Sequence, residues 1–503
     1  MRSFFKSAFL ALVCPLAFMA SAMLSCSNEP VEDVPDIPKY DPNGGSTFNL
    51  LTTCVNGTKL LSETTLNITK KASYENVIYL DRNERFQTID GFGAAITGST
   101  SYNLMQMTAA DRAAFIKKTF SVKEGYGFSY VRVPIGCSDF SLSEYTCCDK
   151  EGISNFALTD EENKYIIPVL KEIVAANPGI KIMGTPWTCP RWMKVKSLDN
   201  RVAFNSWTNG QLNPLYYRDY AQYFVNWIKA FGAEGIPIYS ITIQNEPLNR
   251  NNSASLYMSW QEERDFVKTA LGPAFAAAGI TTKIYCYDCN YSYTDDETQF
   301  EYPLKIYEDP EAARFIAGAA YHNYKGSSDE LLNVHSKAPD KDLVFSEASL
   351  GEWNDGRNLE GVLPTVMKNT TTANVNKWCK AVIVWNLMLD SDQGPNRPKG
   401  CQTGYGAVDI QKSDYKTITY NAYYYALAHF CDAARTGAVR IGNSGAGVSG
   451  LTLATFQNSD GTPGAVLFNS NSSVVNVSLT DDRSHYANCQ IPPKAVVSLN
   501  WKD

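Results

Sequence analysis

Two glutamates close short apolar runs, and each lies among residue types that bind polar ligands. The run ending at Ile243 leads into Gln244-Asn245-Glu246-Pro247, and the run ending at Phe345 leads into Ser346-Glu347. Other runs close on Arg132-Val-Pro134 (reaching Asp139), Thr185-Pro-Trp187, Asp288-Cys-Asn290, His322-Asn-Tyr324 and Trp385-Asn386. Two carboxyl groups can divide the cleavage of an acetal, one protonating the leaving oxygen and the other attacking carbon. Aromatic faces and amides then hold the sugar. Taken singly, each residue has a plain structural reading. Trp187 and Trp385 would serve as core, His322 as a satisfied buried imidazole, and Arg132 as half of an ion pair with Asp139. Their order along the chain argues instead for a glycosidase.

Composition removes the competing classes. The chain has 503 residues, 44% hydrophobic and 12% aromatic, enough for a large buried core. Its 45 basic and 52 acidic residues give a formal charge of -7, with no basic run suited to a phosphate backbone, so no nucleic-acid partner is expected. Four histidines (His322, His335, His429, His485) and no H-E-x-x-H argue against a metal enzyme. Gly91-Phe-Gly93 fails the dinucleotide fingerprint because Ile96 stands where its third glycine belongs. No cofactor is expected. Thirteen cysteines show no disulfide framework, and the Cys286/Cys289 pair reads as core thiols in an apolar run.

These candidates need a scaffold that brings strand ends together. Eight β-rich runs recur at 87–97, 128–135, 180–186, 236–243, 283–287, 317–321, 343–345 and 381–387. Amphipathic segments at 109–120, 161–176, 216–231 and 260–278 lie between them. The connection between the last two runs is least clearly helical. The alternation predicts an α/β fold, a (β/α)8 TIM barrel with the candidates at the carboxyl ends of its strands; an open doubly wound sheet would satisfy it too. Residues 46–80 and 438–499 alternate instead with period two and read as antiparallel strands that pair into a side β-sandwich. The expected organisation is strands of that sandwich at 46–85, the barrel at 86–432 and the remaining sandwich strands at 433–503.

The first 25 residues read as an export signal, with Arg2 and Lys6 before an apolar stretch broken by Pro15. Met23-Leu-Ser-Cys26 resembles the lipobox of bacterial lipoproteins, which implies lipidation of Cys26, a membrane anchor and a place in the cell envelope. Residues 26–45, rich in proline and glycine, read as a tether.

Several blocks in order resemble glycoside hydrolase family 30, the family of glucosylceramidase. They are Phe86-Gln-Thr-Ile-Asp-Gly-Phe-Gly93, Arg132-Val-Pro134 through Asp139-Phe-Ser141, Thr185-Pro-Trp187, Asn245-Glu-Pro247, Phe345-Ser-Glu347-Ala and Gly394-Pro-Asn396. The resemblance implies Glu246 as acid/base and Glu347 as nucleophile of a retaining β-glycosidase. It also implies Arg132, Asp139, Trp187, Asn245, His322, Tyr324, Trp385 and Asn396 around the sugar. Burial and a neighbouring carboxylate would keep Glu246 protonated. The subgroup most resembled cleaves β-1,6-glucan. Asn323 stands where the glucosylceramidase branch carries Trp, which counts against a lipid substrate. Glucosylceramide-like lipids and β-xylosides are the alternatives within the class, and a glycan-binding surface lipoprotein is the alternative outside it.

Overall fold

The computed structural model describes residues 46–292, 296–445 and 447–502. The export segment, Cys26 and the tether expected at 1–45 lie outside them. Eight parallel strands close into a barrel in chain order: Gly91–Ala95, Tyr130–Pro134, Lys181–Thr185, Ser240–Thr242, Lys283–Asn290, Gly318–His322, Asp342–Glu347 and Cys379–Asn386. Each expected run supplies one strand, and the sheet is closed rather than open. Tyr130, Met183, Tyr285, Val344 and Ile383 fill its interior, where the Tyr130 hydroxyl meets Ser240 Oγ at 2.7 Å. A barrel this size is packed solid, so chemistry is confined to its rim.

Two strands differ from the sequence reading for local reasons. The first run divides: Gln87 and Thr88 finish a long strand, Val77–Thr88, that belongs to the side sheet, and the barrel strand begins at Gly91. Gly91 has φ +148° and sits so close to Ser129 that a Cβ would fall 2.4 Å from its Oγ, so only glycine makes this corner. The fourth strand is short, Ser240–Thr242, and near the start of its run stands Pro237, which has no N–H to give a ladder.

The helix Ala109–Phe120 stands where expected, with Thr108 accepting from the Asp111 N–H and Lys117 and Lys118 in the last turn. The segment expected as one helix over 260–278 is instead Trp260–Phe266 and Gly272–Ala278 joined by a π turn, Val267–Leu271. The widened turn precedes Pro273, whose ring cannot follow an ordinary turn without meeting a carbonyl four residues back. The same device, Glu162–Ile166, precedes Pro168. The last connection is helical too, Leu359–Thr365 and Ala373–Asn376 joined by a π segment, Val366–Thr372.

Both chain ends build one nine-stranded sheet. Thr47–Cys54 lies between Ser62–Asn67 and Ala495–Lys502, antiparallel to both, and Val77–Thr88 lies between Val439–Ser444 and Val475–Thr480. The sheet folds onto itself around Phe48, Leu80, Leu467, Val477, Leu479 and Trp501, giving the expected sandwich. One pairing departs from the antiparallel expectation: Val77–Tyr79 runs parallel to Ser478–Thr480.

Candidate active site

Glu347 is the last residue of the seventh barrel strand, and Glu246 follows the fourth. An oxygen of each and a ring nitrogen of His322 all lie within 4.8 Å of one another. Fixed donors hold Glu347: the Tyr324 hydroxyl donates to Oε1 at 2.9 Å and Arg132 Nη1 to Oε2 at 2.5 Å. Glu246 has a different setting. Asn249 and Asn252 donate to its Oε2 at 2.8 and 2.9 Å, and His322 Nδ1 lies 3.4 Å from its Oε1. Its backbone has φ +45°, a strained conformation for a side-chain residue, which aims it across the barrel mouth.

Beneath the pair sits Asp288, which the sequence reading placed at a strand end but did not count among the site residues. Its carboxylate accepts from Arg132 (2.7 Å), Thr242 (2.7 Å) and Ser346 (2.5 Å) and meets His322 Nε2 at 3.1 Å. Burial alone would raise its pKa. The Arg132 guanidinium, then His322 and Ser346, hold it well below its ordinary value instead. A bulge between Tyr287 and Cys289, with φ +73° at Tyr287 and +50° at Asp288, turns this carboxylate inward. Arg132 therefore pairs with Asp288 and Glu347, not with Asp139. Its Nη2 also donates to Asn245 Oδ1 at 2.7 Å.

The charges settle around His322. Burial would lower its pKa, but Glu347, Asp288 and Glu246 raise it to about 9. At neutral pH the ring is an imidazolium, donating to Asp288 and facing Glu246. The consequence for Glu246 reverses the sequence expectation. Burial pushes its pKa up, yet the His322 contact and charge and the Asn249 bond bring the net shift below the ordinary value. Asp139 moves the other way: burial and Glu347, opposed by Arg397, take it up to about 7.

A cavity of about 450 Å³ opens above these groups. Trp187 and Trp385 stack in its wall with centroids 5.0 Å apart, and Asp139 and Tyr324 line it with them. The Arg132 guanidinium lies 5.0 and 5.4 Å from the two indole rings. Arg132 and His322 sit behind the wall and touch the carboxylates, and Asn245 sits beside them, bonded to Arg132. Asn396 is not brought into the wall; its Nδ2 donates to Gln393 O at 3.0 Å. Its neighbour Arg397 instead binds the Ser138 and Ser253 carbonyls and so props the loop carrying Asp139. Asn249 and Asn252 were missed as well, since a loop after Pro247 has no periodicity to flag them. Glu246, His322 and Glu347 offer three donors of the kind that hold a metal. However, Glu347 is already bonded to a guanidinium and His322 is held protonated, so the donor set suits a proton and a carbon electrophile better than a divalent ion.

Residues 89–433 match the model of the glycosyl hydrolase family 30 TIM-barrel domain, and residues 437–499 that of the family 30 β-sandwich domain. The solved structure of an endo-β1,6-glucanase is 55% identical, covers 91% of this chain and 99% of its own, and superposes with a TM-score of 0.88. An endo-1,6-β-D-glucanase of Neurospora crassa is 32% identical over 396 residues, 75% of this chain and 77% of that protein. The lysosomal acid glucosylceramidase of Mus musculus is 25% identical over 456 residues, 85% of this chain and 83% of that protein. The chain belongs to glycosyl hydrolase family 30 and is a glycoside hydrolase.

Proposed function

We propose that this enzyme hydrolyses β-1,6-linked glucan with retention of configuration, Glu347 acting as nucleophile and Glu246 as acid and base. The observation that carries the reaction type is the carboxylate spacing. Oxygens of the two groups lie within 4.8 Å, whereas retaining enzymes need about 5–5.5 Å between carboxyl groups and inverting ones about 6.5–9.5 Å, room for a water. The 55% identity to a β1,6-glucanase over nearly the whole of that protein supports the linkage.

Glu347 attacks the anomeric carbon as Glu246 gives its proton to the leaving oxygen. The C1–O bond to the leaving group breaks and an ester to Glu347 forms. Water, deprotonated by Glu246, then breaks that ester and releases the sugar. The proton for the first step is held by Glu246 and His322 together. Below about pH 9 the pair carries at least one, and transfer across the 3.4 Å contact makes Glu246 the acid. Arg132 and Tyr324 hold Glu347 by both oxygens and fix its aim. Asn245 Oδ1 accepts from Arg132 Nη2 and so steadies the guanidinium that holds the nucleophile.

A 2-fluoro β-glucoside should accumulate as an ester on the peptide containing Ser346-Glu347-Ala348, and a panel of β-1,6-, β-1,3- and β-1,4-glucans should give products from the first. Label elsewhere overturns the Glu347 assignment. Turnover of glucosylceramide in preference to β-1,6-glucan overturns the substrate. We also propose that Cys26 is lipidated and anchors the enzyme to a membrane, on the lipobox-like Met23-Leu-Ser-Cys26. An unmodified native Cys26 in mass spectra would contradict the anchor and leave the chemistry intact.

A further inference from the structure

Exposure grades the aromatic residues of the cavity by depth. Trp187 is 1% exposed and Trp385 5%, whereas Trp353, in the wall of the same cavity, is 53% exposed. An indole on a solvent-facing turn gains little from its open side unless an apolar face covers it. The turn that carries it is firmly built. Leu350 pairs with Tyr405 and Gly351 with Gly404. The Glu352 N–H donates to Thr403 O, the Gly356 N–H to Gly351 O, and the Gly351 N–H to Asn354 Oδ1, each at 3.0 Å. The indole rests on Gly351, where a Cβ would come within 2.0 Å of the ring. Tyr405 continues the wall under the Arg357 guanidinium, 4.0 Å from its ring.

We propose that Trp353 is the platform of a leaving-group subsite, taking the C–H face of the hexose next to the bond that is broken. The inference rests on the glycosidase reading above. A sugar in contact with both carboxylates lies among the buried Trp187 and Trp385, and Trp353, in the solvent-exposed part of the same wall, is left clear for the next unit along the chain. The ring is seated on Gly351, on a turn tied down by backbone bonds, in the cavity wall that Glu347 also lines. Little ordering is therefore left to be done on binding.

The test separates this subsite from the chemistry by using β-glucosyl fluoride, whose leaving group fills no subsite. Fluoride leaves and the glucosyl ester forms on Glu347. Water or an added methyl β-glucoside then attacks C1, breaking the ester and passing its hydroxyl proton to Glu246. Only the sugar acceptor needs the platform. Trp353→Ala should lower the ratio of transfer to hydrolysis about tenfold, within the range of a lost aromatic contact, and raise KM for β-1,6-gluco-oligosaccharides more than it changes kcat. Trp353→Phe should recover most of the ratio, and Gly351→Ala, by displacing the indole, should lose part of it. An unchanged ratio overturns the proposal, as do equal losses of transfer and hydrolysis, which would mark a structural role. If the wild type uses glucosyl fluoride but no β-1,6-oligosaccharide, the linkage reading fails and the acceptor ratio still decides the platform. Failure on every β-glucosyl donor overturns both.

Discussion

His322 carries two consequences that neither glutamate has alone. As an imidazolium it donates to Asp288, and in the proposed mechanism it is the store from which Glu246 draws its proton. Its folded pKa of about 9 lies above the ordinary 6.5, so the ring stays protonated in the folded protein until pH nears 9, and the stability this contributes is complete below about 6.5 and lost as pH rises through about 9. The alkaline limb of kcat/KM should therefore fall near 9. In His322→Asn it should move down by a unit or more, because the leaving oxygen then depends on a lone Glu246. A profile that does not move would assign the proton elsewhere. Glu246, Glu347 and most of their neighbours were legible because strand ends of a barrel meet and the motifs name them. The protonation of Glu246 was misjudged for a related reason. Burial is visible in a sequence pattern, whereas a histidine 76 positions away is only a neighbour once the strands close.

The elements explain why the site has its shape, and one of them is open to direct test. The bulge that turns Asp288 inward is held from behind by Glu263, whose Oε1 accepts from the Tyr287 N–H at 3.1 Å. Burial raises the Glu263 pKa to about 8 from 4.5, so the folded protein takes up a proton there that the unfolded chain lacks between those values. Stability should thus decline as pH rises from about 4.5 to about 8, and Glu263→Gln should lessen the decline while keeping activity. Glu263→Ala should cost about 2–4 kcal/mol by leaving a cavity and an orphaned N–H, and should lower kcat as Asp288 drifts. Thermal melts across pH for the three proteins check this; a glutamine variant as damaged as the alanine one would refute the protonated state. Strands and helices were legible because their periods of two and 3.6 survive in the sequence. The π turns before Pro168 and Pro273, the bulge and the division at Ile89-Asp90 were not, since each is a backbone adjustment of one or two residues that leaves the apolar pattern intact.

At the scale of the whole molecule, the sandwich is bound to the barrel through a buried imidazole that has no part in the chemistry. His429 lies in the helix Ala422–Ala433, which packs against the strand Ala495–Lys502. Ser498 Oγ donates to Asp432 Oδ2 at 2.6 Å, so it must accept from His429 Nδ1, 3.0 Å away. With Nδ1 carrying the proton of the neutral ring, Nε2 accepts from Thr53 Oγ1 at 2.9 Å, and that hydroxyl in turn accepts from the Leu61 N–H. The ring is fixed as the neutral Nδ1–H tautomer, and a second proton would meet a donor at Nε2. Burial takes its pKa down to about 3. With a folded value below the ordinary 6.5, its contribution is complete above about 6.5 and lost as pH falls towards 3, the reverse of His322. Because Thr53 and Ser498 come from opposite ends of the chain, on strands paired from Thr47↔Lys502 inward, removing the ring loosens both ends at once. His429→Ala should cost about 2–4 kcal/mol and shift a single calorimetric transition downward, with loss of hydrolysis following the same curve. His429→Gln should keep more of the stability and flatten its acid side. Two separate transitions, with the barrel still active after the first, would mean that the sandwich is an independent appendage and that the helix-borne imidazole does not couple them.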